Sequence, residues 1–95
     1  MLFICLIKTD AEYRRNPEIA QKSHKWWNDG GRPVGLKTVA CYGAIGTDTP
    51  DVMIVETDNH LDIQRMVDFW APVRIEVHPG IDLARHWGER GMNIE

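Results

Sequence analysis

The stretch Asp51-Val52-Met53-Ile54-Val55-Glu56-Thr57-Asp58-Asn59-His60-Leu61-Asp62-Ile63-Gln64-Arg65-Met66-Val67-Asp68-Phe69-Trp70 decides the fold. Val52 to Val55 is an unbroken run of β-formers, the pattern of a central strand covered on both faces. Glu56 to Asn59 interrupt it with polar, capping-competent side chains. Ile63, Met66, Val67 and Trp70 then recur at helical spacing, so a strand passes directly into an amphipathic helix.

Upstream, Leu2 to Ile7 is apolar at odd and even positions alike and belongs beside Val52 to Val55 as a second inner strand. A polar connector, Ala11 to Arg15, leads to Asn16-Pro17, where Asn16 as N-cap and Pro17 in the first turn mark a helix start. Ile19, Ser23, Trp26 and Trp27 form one face of that helix, and Asn28-Asp29-Gly30-Gly31 ends it. Leu36 to Ala44 alternates as a half-exposed strand, with Leu36, Thr38, Ala40 and Tyr42 on one side and Lys37, Val39, Cys41 and Gly43 on the other. A long hairpin loop, Gly43 to Pro50, follows. Beyond the second helix, Ala71-Pro72 is a stop and Val73, Ile75 and Val77 alternate with Arg74, Glu76 and His78. Pro79-Gly80 is expected to interrupt this last strand, and residues 81–95 read as a helical tail frayed by Gly88 and Gly91.

The order β-α-β-β-α-β predicts an α+β, ferredoxin-like sandwich with a four-stranded antiparallel sheet and both crossover helices on one face. Ninety-five residues, 43% hydrophobic and 26% charged, make one domain spanning 1–95. So short a chain buries only about 60 to 65% of its unfolded surface, which favours a partner subunit. A second copy packed on the bare sheet face supplies one, giving a homodimer. The net charge of -3, with its signs interspersed, offers no field for nucleic acid. Leu2 to Ile7 is too short for a membrane span and lacks the flanks of a signal peptide. Cys5 and Cys41 sit in strands outside any CxxC pattern, reading as two buried, inert thiols in a cytoplasmic protein.

Five segments carry a family resemblance: Met1-Leu2-Phe3, Pro33-Val34-Gly35-Leu36, Ile54-Val55-Glu56-Thr57-Asp58, Phe69-Trp70-Ala71-Pro72 and Val77-His78-Pro79-Gly80-Ile81-Asp82. In this order and spacing the chain resembles the dimeric α/β-barrel (ferredoxin-like) superfamily, and within it the small DUF3303-like proteins. The resemblance implies a homodimer. It leaves activity open, because the superfamily includes quinol-type monooxygenases, haem-degrading enzymes, polyketide cyclases, YciI-like dehydrochlorinases and proteins of no known activity. Relatives frequently carry a His near the position of Cys41, from which this chain departs.

Four histidines are the first candidates for acid/base chemistry. His24 reads as a helix-surface imidazole, or, by resemblance to YciI-like relatives with a functional His on the first helix, as a base above a helix-sheet pocket. His78 shares a strand face with Glu76 and Arg74, a spacing that allows an imidazole-carboxylate dyad with Arg74 fixing an anionic substrate group. It equally allows a charged edge strand or an interface network. His60 and His86 receive no role. No HxxxH or HExxH pattern marks a metal site, although His24, His78 and Glu56 are the residues from which one assembled in space would be built. No dinucleotide, P-loop or nucleophile-elbow motif occurs; the resemblance to the dimeric-barrel type implies cofactor-free chemistry. Among the tryptophans, Trp27 and Trp70 read as packing residues and Trp26 and Trp87 as rim or dimer contacts. Tyr42 is placed in the same pocket as Trp27, donating a hydrogen bond to a substrate oxygen. Two functions follow: a small binder or enzyme for a flat aromatic or quinone-like compound, with His24 or His78 as base and Trp27 as a wall, or a non-catalytic homodimeric accessory module.

Overall fold

The computed structural model describes residues 1–8, 15–45 and 49–92. β1 (Leu2–Lys8) lies between β3 (Asp51–Glu56) and β4 (Arg74–Gly80), and β2 (Lys37–Tyr42) pairs with β3. All pairings are antiparallel, in the order β2-β3-β1-β4. With α1 (Pro17–Asn28) and α2 (His60–Trp70) as crossovers, this is the βαββαβ order of a ferredoxin-like fold, followed by a short α3 (Leu83–Glu89).

The two continuous apolar strands are the inner pair, with Ile4 opposite Ile54 and Cys5 opposite Met53. Pleating divides their side chains. Phe3, Cys5, Ile7, Met53 and Val55 are buried in one core with Trp26 of α1, Met66 and Trp70 of α2, and Leu36. Leu2, Ile4, Leu6, Val52 and Ile54 point to the other face and are only half-buried. The chain's own helices therefore cover one side of the sheet, while the sequence pattern prepares both.

The caps fall where the sequence places them. Asn16 Oδ1 accepts from the Glu18 amide at 2.9 Å, and Asn59 Oδ1 accepts from the Leu61 amide at 3.0 Å. Gly30, at φ +75°, turns the chain out of α1, and the Gly31 amide reaches back to the Lys25 carbonyl at 2.9 Å. α2 ends at Ala71, whose bond to Pro72 is cis. The Lys22 ammonium of α1 donates to the carbonyls of Phe69 (3.1 Å) and Ala71, so one helix caps the other's C-terminus.

Several expectations are corrected. Trp26, not Trp27, is the core residue: it is 1% exposed and packs against Phe69 and Trp70 at ring distances of 5.3 and 5.6 Å. Trp27, one residue or about 100° further round the helix, is 44% exposed. Pro79-Gly80 does not interrupt β4, which pairs Pro79 with Phe3 and Gly80 with Leu2. β4 is an edge strand, where the missing proline amide leaves no ladder bond unmade. Gly88 lies within α3. Most of the polar connector before Arg15, and residues 46–48 of the hairpin loop, lie outside the described residues.

Replacing Trp26 by Ala should cost about 3–5 kcal/mol of unfolding free energy in urea, whereas Trp27→Ala should cost less than about 1 kcal/mol. The opposite ranking would place the core on the wrong face of α1.

Candidate functional site

The α1 face that carries Ile19, Ala20, Ser23 and Trp27 does not close fully onto the sheet. It leaves a cleft of about 280 Å³ whose other walls come from Ile7, Cys41, Asp51, Met53 and Trp70, with Tyr42 and Gly43 at the sheet edge. Trp27 and Tyr42, which sequence places in one pocket, thus line the same cleft.

Their orientations differ from expectation, and the reason is a β-bulge. The β2–β3 register shifts between Thr38 and Ala40, leaving Cys41 opposite Met53 and Tyr42 opposite Val52. Cross-strand partners share a face, so Cys41 is on the helix side and Tyr42 on the open side. Tyr42 is accordingly 67% exposed and contributes to the rim. Asp51, opposite Ile7, lies on the helix face, and its carboxylate accepts from the Ala44 amide at 3.1 Å.

Cys41 is exposed rather than buried, while Cys5 is completely buried. Desolvation against the cleft wall, and then the Asp51 carboxylate, raise the Cys41 thiol above its usual value, and burial pushes Cys5 up to about 11. Three buried polar atoms have no hydrogen-bond partner among the described residues: Trp26 Nε1, Thr38 Oγ1 and Trp70 Nε1. Trp70 is part of the cleft wall.

The histidines lie elsewhere. His24 is exposed, with Nδ1 3.0 Å from Asp29 Oδ2, and is not among the cleft-lining residues. His78 and Glu76 form the expected pair, with Nε2 and Oε2 3.2 Å apart, and Lys8 approaches the same carboxylate at 3.9 Å. They sit opposite Ile4 and Leu6 on the open face, with the sheet between them and the cleft. The hydrogen bond from His78, and secondarily the charge of Lys8, hold the Glu76 carboxyl below its ordinary range. Arg74, opposite Lys8, shares that face, at the β4 end level with the cleft but across the sheet from it.

A wider depression of about 720 Å³ lies between the α1–β2 loop and the start of α2. Its buried carboxylate, Asp62, is already engaged: Thr57 Oγ1 donates to Oδ2 and Arg65 to Oδ1, each at 2.9 Å. Among the described residues, no three His, Cys, Asp or Glu side chains gather to hold a metal ion, and no helix is long and apolar enough to cross a membrane.

The family model for a domain of unknown function, DUF3303, matches residues 1–87. The chain belongs to the DUF3303 family. No curated protein and no solved structure matches it. The DUF3303 match covers every strand, both crossover helices and all of the cleft-lining residues.

In the native protein, Ellman's reagent should titrate Cys41 and leave Cys5 unreacted, with both reacting after denaturation; the Cys41 rate should still be rising above pH 9, since only the thiolate attacks. Equal protection of both thiols would contradict the register of β2. For Glu76, His78→Ala should move its carboxyl back up toward the ordinary value in an NMR titration. The depressed folded value means that the pair's contribution is present above the ordinary carboxylate range and is lost as pH falls through the lowered one.

Proposed function

We propose that this DUF3303 domain is a cofactor-free homodimer of the dimeric α/β-barrel type that binds a flat aromatic or quinone-like small molecule between α1 and the sheet. The observation that carries this is the cleft itself: two indoles, Trp27 and Trp70, meet Ser23, Cys41 and Asp51 around about 280 Å³. That volume is at the lower edge of the roughly 300–1,000 Å³ of ligand pockets and suits a one- or two-ring compound. Trp27, with 44% of its surface exposed beside a cleft, is an apolar cost in water that a stacked ring would relieve.

The reading is one of binding rather than histidine catalysis in the cleft. His24 is turned to Asp29 at the surface and His78 lies across the sheet. The groups within reach of a bound molecule are the Ser23 hydroxyl, the Asp51 carboxylate and the Cys41 thiol, which is raised and so mostly protonated.

The alternative, a non-catalytic homodimeric accessory module, is favoured by a separate observation. Leu2, Ile4, Leu6, Val52 and Ile54 form a half-buried apolar field on the open face, and the Glu76-His78-Lys8 group stands at its border. In that reading these charges are an interface network.

Protein-observed NMR with 2-naphthol, a flat aromatic probe that does not alkylate thiols, separates the two. Saturable shifts at Trp27, Cys41 and Asp51 are expected, and Trp27→Ala should weaken binding about tenfold, the value of one lost aromatic wall. Shifts absent at millimolar probe, or undiminished in Trp27→Ala, would leave the accessory-module reading.

A further inference from the structure

The tryptophans are held in different ways. Trp26 and Trp70 lean on each other and on Phe69, and Trp87 meets His86 at a ring distance of 5.2 Å. Trp27 meets no other aromatic ring among the described residues, although it walls the cleft with 44% of its surface exposed. Its specific contact is a cation: Arg32 Cζ stands over the indole, 5.9 Å from the ring centroid.

Arg32 is itself fixed by the loop that carries it. The chain leaves α1 through Gly30 and Gly31, and a Cβ on Gly31 would stand 2.8 Å from Phe69 Cε2, so this exit is pressed against the helix layer. Pro33 follows with φ set by its ring, and its carbonyl accepts from the amide of the buried Leu36 at 3.1 Å. Between these anchors Arg32 is half-buried and has no ion-pair partner among the described residues. A partly desolvated guanidinium without a carboxylate needs another source of negative potential, and the face of an indole supplies it.

We propose that Arg32 is a positioning residue for the cleft: its guanidinium holds the Trp27 indole as a preformed wall for the aromatic ligand without touching that ligand. This rests on the aromatic-binding reading above and adds the group that prepares the wall. An exposed indole samples several rotamers, and those that leave the cleft have to be given up on binding. A cation over the ring favours one of them beforehand, so the ordering cost is met in the free protein. Arg32 is not among the cleft-lining residues, so its effect on a ligand passes through Trp27.

The test is a double-mutant cycle read by NMR with 2-naphthol, which is uncharged at neutral pH and gives the Arg32 charge nothing to attract directly. Arg32→Met keeps an unbranched stem and removes the cation. Its Kd is expected to rise about two- to fivefold, the worth of an exposed cation–π contact. In the Trp27→Ala background the same substitution is expected to change nothing further, because the group it acts through is gone. In the free protein, the heteronuclear NOE of the Trp27 indole N–H is expected to fall in Arg32→Met, reporting a looser ring. An unchanged Kd in Arg32→Met, or an equal loss with and without Trp27, would overturn the role of Arg32 while leaving the aromatic cleft standing. Absence of saturable shifts in the wild type would overturn the cleft reading and this inference with it.

Discussion

Antiparallel pairing of β1 with β3 is the constraint on which everything else hangs. Six residues of each strand meet, from Leu2 opposite Glu56 to Ile7 opposite Asp51, and the remaining strands attach to the outer sides of this pair. Because the side-chain period is two, a slip of β1 by one residue against β3 would exchange Phe3, Cys5 and Ile7 for Leu2, Ile4 and Leu6 beneath the helices. Both sets are apolar, so hydrophobicity alone separates the registers poorly. What separates them is fit: Glu56 and Lys8 end the strands on the open face, while Cys5 and Val55, both 0% exposed, are small enough to lie under Trp26, Met66 and Trp70. Fully burying a Leu, Ile or Val contributes about 1.5–3 kcal/mol. Five half-covered side chains on the open face thus withhold several kcal/mol, a sizeable share of the roughly 5–15 kcal/mol that stabilises a typical domain.

Beyond packing, one polar tie joins the two helices and a second joins α2 to the turn that follows β3. Lys22 crosses from α1 to the carbonyl end of α2, where orphan acceptors and the helix dipole both favour a cation. At the other end of α2, Asp62 is 4% exposed, and its carboxylate is tolerated there because Thr57 and Arg65 satisfy both oxygens. A Cβ on Gly35 would stand 2.7 Å from Asp62 Oδ2, so glycine is what lets the chain entering β2 pass so close to this carboxylate. A single buried acid thus joins the β3–α2 turn to the second helix and sets how closely the α1–β2 loop can pass.

Much of this was legible from residue order. The inner strands, the Asn16-Pro17 helix start, the capping-competent stretch Glu56 to Asn59 before α2, the glycine exit from α1 and the Ala71-Pro72 stop are local signals, and the structure follows each, with Asn59 as the cap. The side chains that fall on another face than the sequence suggests share a cause, in that they depend on rotation about an element's axis. Trp26 and Trp27 are adjacent, both apolar and both compatible with the α1 stripe, and what selects Trp26 is contact with Phe69 and Trp70 from another helix. Simple alternation places Tyr42 on the wrong face because it carries no mark of the bulge at Thr38 to Ala40. Asp51 carries no signal of a site residue because it reads as the polar end of a strand, and Ser23 carries none because it reads as one position on the α1 stripe. The His78-Glu76 pair was readable, since two residues on one strand always share a face.

The bulge also decides what the edge of the molecule is able to do. Without it, the Leu36 and Thr38 phase would continue, placing Tyr42 on the helix face and Cys41 on the open one. One extra residue reverses this, so that a small thiol faces the cleft, where a phenol would fill part of its volume, and the phenol moves to the rim. Such an insertion is tolerated best in an edge strand, because a single ladder is disturbed, and β2 is an edge strand. The cleft therefore exists because a local irregularity in β2 breaks the periodicity that builds the rest of the sheet. Consecutive residues, Cys41 and Tyr42, consequently serve opposite faces, and any movement of this edge alters the cleft and the open surface together.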